Sequence, residues 1–319
     1  MNKHMTEKGI ALLIVLWALT ILMVIVLSFS VMARTEIYST IAFKGGIEKK
    51  FIAEAGIERA ITELFYRDFY KNQTVELEGR EVWKTDGTPY EGQIGNGYYT
   101  VKILDESGKV DINTASELVL KNLLINAGVK PEEADIIVDC IMDWKDADDL
   151  HRLNGAESDY YMSLPNPYRA KDDKFDTIEE LLLVKGMTAE ILYGSGEKKG
   201  IIDFLTVHSG TESININAAP KEVLMALPGM TPEYADSIIE YRKIKEINDL
   251  SEIGLSGEGV ELIMPEIDTQ GTETFTIDAI GRKAGEKGVY AIRATVRLGL
   301  EGGGKYKYIY YKSPIDRNQ

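Results

Sequence analysis

The densest group of side chains able to do chemistry lies between Asp143 and Asp159, in DWKDADDLHRLNGAESD. Asp143, Asp146, Asp148, Asp149, Glu157 and Asp159 put six carboxylates into 17 residues. Crowded carboxylates repel one another, and a hard cation relieves that repulsion. Calcium takes six to eight oxygens, and carboxylates and backbone carbonyls of an irregular loop suit it. The spacing is not that of an EF-hand, so two readings stand at this level: a calcium site and a solvated acidic loop. One histidine, His151, among carboxylates makes a poor transition-metal site. Gly194-Ser195-Gly196 lacks the spacing of a phosphate-binding loop, and no nucleophile elbow or HExxH is present. Nothing in the chain points to an enzyme. Cys140 is the single cysteine, so neither an intrachain disulfide nor a CxxC motif is possible, and its apolar helical setting predicts a buried thiol.

The elements that must position this loop follow from periodicity. From Val110 to about Ile263 the pattern is helical with Pro and Gly punctuation. Strands are predicted before it, at Val75–Trp83 and Gly97–Leu104, with a loop at Thr85–Asn96. They return at Glu273–Ile280, Val289–Leu298 and Tyr306–Lys312. Along the middle of these three, Tyr290, Ile292, Ala294, Val296 and Leu298 alternate with Ala291, Arg293, Thr295 and Arg297, the mark of a half-buried antiparallel strand. Strands on both sides of a helical block predict one sheet interrupted by an insertion.

The insertion repeats itself. VDINTASELVL (110–120) parallels ININAAPKEVL (214–224), and a glycine and a helix follow each, PEEADIIVDCI after Gly128 and PEYADSIIEYR after Gly229. This reads as a duplicated helix–hairpin–helix, with another hairpin-like Gly186-Met187-Thr188. Such hairpins can bind DNA phosphates through backbone N–H groups. Here the second hairpin glycine is missing, and Arg242, Lys243 and Lys245 form the one basic group nearby. Residues 105–180 hold 19 acidic against 8 basic side chains, and the whole chain of 319 residues carries −15. A DNA-binding surface must replace phosphate counter-ions with Lys and Arg. Burial of Leu224, Leu227, Ile238 and Ile239 is the better reading of the hairpins.

The amino terminus carries the remaining signal. Nothing between Gly9 and Ala33 is charged. Ile10–Val31 would form a helix of about 33 Å, enough to cross a hydrocarbon core of about 30 Å. Helix formers continue to about Arg67, with Ala53, Ile57, Ala60, Ile61 and Leu64 on one apolar stripe and a kink or break expected at Gly45-Gly46. Lysines and arginines on both sides of the span leave its orientation open by charge alone.

A short polar leader ending Lys8-Gly9 before such a helix resembles a type IV pilin-like signal. With it come AEAGIERA (53–60), the run DWKDADD through NGAE-x-x-YY, and the late ININAAPKEVLMALP. In that order these motifs resemble the protein K family of type II secretion systems, the large minor pseudopilins. The resemblance implies an α+β pseudopilin fold: a long N-terminal membrane helix packed on an antiparallel sheet, with a large inserted all-α domain of helix–hairpin–helix-like repeats. The domains expected are a leader (1–9), a transmembrane helix (10–33), a discontinuous pseudopilin domain (34–109 and 266–319) and the insertion (110–265).

It further implies cleavage between Gly9 and Ile10 by a prepilin peptidase, with N-methylation of Ile10, and a structural calcium ion with Asp143, Asp146, Asp148, Asp149 and Glu157 as its candidate ligands. The partners implied are other minor pseudopilins at a filament tip, the major pseudopilin filament and the inner membrane, with the soluble part in the periplasm and no nucleic acid. Pilins usually carry glutamate at the fifth mature position, paired with a neighbour's terminal amine; here it is Ile14. A carboxylate in lipid is costly unless paired, so a subunit without it suits the end of a filament. The second hairpin also looks like the repeat of membrane-anchored DNA-uptake receptors of the ComEA kind, which is the alternative function.

Overall fold

A computed structural model describes residues 3–70, 82–196, 198–253, 258–299 and 306–315. It opens with one continuous helix, α1 (Lys3–Tyr70), of 68 residues. At 1.5 Å per residue that is about 100 Å. From Ile10 to Met32 its large apolar side chains are exposed, and this stretch is long and apolar enough to cross a membrane. The predicted stripe is buried in full: Ala53, Ile57, Ala60, Ile61 and Leu64 lie against the sheet. The break expected at Gly45-Gly46 is absent. Gly45 is instead a point of close approach, since a Cβ there would stand 2.8 Å from Glu286 Oε2. Lys49 pairs with Glu286 at 3.3 Å and Lys283 with Glu48, fastening the helix to the turn below it.

The sheet is antiparallel, built from β1 (Asp86–Ile94), β2 (Gly97–Asp105), β9 (Thr274–Lys283), β10 (Tyr290–Leu298) and β11 (Tyr306–Lys312) in that spatial order. β2 and β9 are direct neighbours, with Ile103 opposite Ile277, although residues 106–273 separate them in the chain. Tyr99, Val101, Ile103, Ile277, Ala279, Ile292, Ala294 and Val296 face α1. Gly56 and Gly281 let the helix rest on the strands. A Cβ on Gly56 would stand 2.8 Å from Val101 Cγ2, and one on Gly281 would collide with the Lys49 carbonyl.

Three details depart from the sequence reading. The expected strand at Val75–Trp83 falls largely outside the described residues, and Val82–Lys84 is irregular. The expected loop at Thr85–Asn96 is mostly the edge strand β1. Its Pro89 needs no donor on an edge, and a bulge between Asp86 and Pro89 absorbs the irregular start. Gly87, Pro89 and Gly92 had hidden the strand. Finally, β10 is buried on both faces: Ala291 and Thr295 are covered as well as Ile292 and Val296. Arg293 shares the second face with Ala291 and Thr295. There it forks onto Asp278 at 2.7 and 2.9 Å, within electrostatic reach of Asp203 and Glu106.

The insertion has its own core and consists of two copies of one plan. The first copy runs from β3 (Val110–Asp111) through α2 (Glu117–Asn126), α3 (Pro131–Lys145), α4 (Ser158–Met162), α5 (Ala189–Tyr193) and the small hairpin β4–β5 (Gly194–Ser195, Lys198–Lys199) to β6 (Leu205–Thr206). The second runs from β7 (Ile214–Asn215) through α6 (Lys221–Leu224), α7 (Pro232–Ile244) and α8 (Glu258–Ile263) to β8 (Ile267–Asp268). In each copy the first and last strands pair in parallel.

The repeated asparagine explains the echo. Asn113 accepts from Phe175 N at 2.8 Å and donates to Phe175 O at 3.0 Å. Asn217 makes the same pair with Ile247, both at 2.9 Å. A cation at the end of each second helix then closes the loop: Lys145 on the carbonyls of Ile112 and Asn113, Arg242 on those of Ile216 and Ala219. The two hairpins meet through Asn122 and Asn126, which donate to the carbonyls of Ala226 and Met225.

Candidate cation site

The acidic segment begins on α3. That helix buries Ala134, Ile137, Val138, Cys140 and Ile141, and places Asp143 and Trp144 in its last turn. Cys140 is buried as expected, and burial pushes its thiol up to about 12. Trp144 is held by Tyr161 edge-on at 5.2 Å, with Tyr168 and Phe175 around it. After Lys145 the chain leaves the helix and loops back. Asn154 ties this loop to α3, its backbone N and Nδ2 both 2.9 Å from Asp139 Oδ2. Gly155 passes directly over Asp143, where a Cβ would collide with the carboxylate. Glu157 then sits just before α4, with 2% of its surface exposed.

Of the five carboxylates singled out above, three converge. One oxygen from each of Asp146, Asp148 and Glu157 lies within 4.8 Å of the others. Two oxygens on one calcium ion can be no more than about 5 Å apart at bonds of 2.3–2.6 Å, so these three fit one ion. Asp143 stands beside them, fully buried, and receives the backbone N of Arg152 at 3.3 Å and its guanidinium at 3.3 Å. Asp149 is exposed and outside the group. Asp159 pairs with His151 at 3.1 Å.

The electrostatics are those of a site only partly compensated by the chain itself. Both oxygens of Glu157 and Oδ1 of Asp146 are buried and accept no hydrogen bond from any described residue. An unpaired buried carboxylate is costly, and burial first, then Asp143 and Asp146, pushes Glu157 up to about 7. An ion with several oxygen ligands would satisfy the three orphaned atoms together. Glu157 and Asp146 would supply buried charge, Asp148 an exposed carboxylate, and the loop its carbonyls. Sequence reasoning missed Arg152, which donates to Asp146 Oδ2 at 2.9 Å and lies 3.4 Å from Glu117 through Nε. No periodicity relates residue 152 to α2, so spacing held no signal for it.

Gly9 and Ile10, between which cleavage is expected, lie on α1, whose backbone is helical across them. The hairpin cations are engaged. Arg242 is held by two carbonyls, Lys243 pairs with Glu240, and Lys245 lies 3.1 Å from Glu252.

Residues 101–193, spanning β2 to α5 and the whole acidic loop, match the family described as type II secretion system (T2SS), protein K. Over that stretch the chain is similar to type II secretion protein K. It is 26% identical over 256 residues to the type II secretion system protein K of Pseudomonas aeruginosa, covering 74% of this chain and 72% of that one. With the protein K of Pectobacterium carotovorum it shares 24% over 257 residues, 74% and 75% of the two chains. A chain in the crystal structure of the GspK–GspI–GspJ complex from the enterotoxigenic Escherichia coli Type 2 Secretion System has the same fold, with a TM-score of 0.63 at 15% identity. The match covers 87% of this protein and all of that chain. Residues 209–256, the second copy of the inserted plan, match the helix–hairpin–helix motif.

Proposed function

We propose that the protein is a minor pseudopilin that caps the tip of the periplasmic filament of a type II secretion system and helps start its assembly. The observation that carries this reading is the insertion between β2 and β9. It adds a second body, with its own core, to the α1-on-sheet unit. A subunit carrying that bulk would block the next one from stacking above it. Ile14 supports the same place, because a helix without a buried carboxylate there needs no terminal amine beside it. The neighbouring fold comes from a complex of GspK with GspI and GspJ, which supports other minor pseudopilins as partners.

In this reading α1 anchors the chain in the inner membrane with the remainder in the periplasm. A prepilin peptidase removes residues 1–9 and Ile10 becomes the methylated terminus. The major pseudopilin filament lies below. The division into leader (1–9), span (10–33), pseudopilin domain (34–109 and 266–319) and insertion (110–265) belongs to the same proposal. Calcium is its structural cofactor, held by Asp146, Asp148 and Glu157, with Asp143 behind them. The ion would satisfy the buried carboxylate oxygens that the chain's own hydrogen bonds leave unpaired. The protein acts by shape and position, with no catalytic step.

Intact mass of the protein from cells with and without the peptidase tests the proposal. A mass lacking residues 1–9 and carrying one methyl group, only with the peptidase, is expected. Immunogold labelling restricted to filament ends is the expected result for the capping role, and label along the shaft would remove it. An uncleaved chain whose soluble part bound DNA in a salt-sensitive way would favour the uptake-receptor alternative, to which the helix–hairpin–helix match is relevant.

A further inference from the structure

We infer that Arg152 is a resident counter-ion of the carboxylate cluster, and that its charge sets how tightly the protein holds a divalent cation. This rests on the calcium reading proposed above and assigns a role to a residue outside the ligand set.

The geometry is specific. Arg152 Nη1 lies 2.9 Å from Asp146 Oδ2, while the other oxygen of that carboxylate, Oδ1, is buried and without a hydrogen-bond partner. The same Nη1 lies 3.3 Å from Asp143 Oδ1, and Nε lies 3.4 Å from Glu117. One guanidinium thus bridges two carboxylates of the cluster to the first turn of α2. The side chain is 35% exposed, whereas Asp143 is fully buried. Its backbone N also points at Asp143, so the loop path itself brings the cation in.

A positive charge held there has two opposite consequences. It relieves repulsion between Asp143 and Asp146 and steadies the loop. It also repels a divalent ion entering a few ångströms away, at an effective dielectric well below that of water. Arg152 would therefore weaken calcium binding while stabilising the protein without calcium. A residue that merely oriented the ligands would do the reverse to affinity: its loss would weaken binding. Glu117 shares the guanidinium charge from the far side, so removing Glu117 should leave more of that charge on the cluster.

The test is isothermal titration of the full-length protein in detergent with calcium, together with melting curves in chelator and in saturating calcium. Arg152→Gln should tighten calcium binding by about tenfold or more. Arg152→Lys, which keeps the charge, should stay within about threefold of the parent. Glu117→Gln should weaken binding by about two- to threefold, and it gives a reading even if Arg152→Gln does not fold. In chelator Arg152→Gln should melt below the parent, with the gap narrowing in calcium. Unchanged or weaker binding by Arg152→Gln, in a parent that does bind calcium, overturns the role of Arg152 alone. No calcium binding by the parent and no calcium-dependent melting shift overturn the calcium reading, and this inference with it.

Discussion

Glu157 makes stability depend on pH in a direction opposite to most carboxylates. In the fold its carboxyl rises to about 7, against an ordinary value of 4.5, and the first cause is burial. A carboxyl raised by folding favours the folded protein while it is protonated. That contribution is complete below pH 4.5 and is lost as pH rises through about 7. The gap corresponds to about 3 kcal/mol. Calcium-free protein should therefore lose about 3 kcal/mol of stability between pH 4.5 and pH 8 through this residue, or about 6 °C at roughly 2 °C per kcal/mol for a large chain. Other groups titrate in the same interval, so the measurement is a difference. Glu157→Gln keeps the shape and cannot ionise. Melting curves of both proteins in chelator across pH 4.5–8 should converge at the acid end and diverge by about 6 °C at pH 8, with the variant higher. Saturating calcium should erase or reverse the difference, because the proposed site has one carboxylate more in the parent. Parallel pH profiles in chelator would refute the reasoning, since Glu157 would then ionise in the fold as freely as in water.

Three further outcomes follow from the packing. Gly281→Ala should cost about 3 kcal/mol or more, read by melting or protease resistance, because the new methyl collides with the Lys49 carbonyl and lifts α1 off the sheet. Ile57→Ala should cost about 2–5 kcal/mol by the same assays, as Ile57 is buried between α1 and the strands. Asn113→Ala should cost about 1–3 kcal/mol by leaving Phe175 N and O without their partner. It should also weaken calcium binding, because Phe175 packs on Trp144 beside the acidic loop. Calorimetry checks both effects, and Asn217→Ala should show the first without the second.

Much of the architecture was legible because it is written in local periods. The apolar run of α1, its buried stripe from Ala53 to Leu64, and the alternation in β10 each repeat at the spacing of their element. The interrupted sheet followed from strands on both sides of a helical block. The duplicated I-N-x-A motif was visible, but its reason was not. Asn113 and Asn217 act on Phe175 and Ile247, dozens of residues away, and only the fold sets those distances. β1 was missed because two glycines and a proline remove the alternation, and an edge strand tolerates all three. The acidic segment was plain as composition. Which of its carboxylates meet was not, because an irregular loop has no period from which a face can be read.

The sequence by itself determined the membrane-length helix, the antiparallel strands, the paired hairpins and the region where charge is concentrated. Each is a short-range property, set by the order of apolar and polar residues along a few turns. The tertiary structure alone decided that β2 lies beside β9 across residues 106–273 and that β10 is buried on both faces. It also decided that Asp146, Asp148 and Glu157 converge while Asp149 does not, and that Arg152 stands among them. These depend on the path by which a long chain returns to itself, which is governed by packing between distant surfaces.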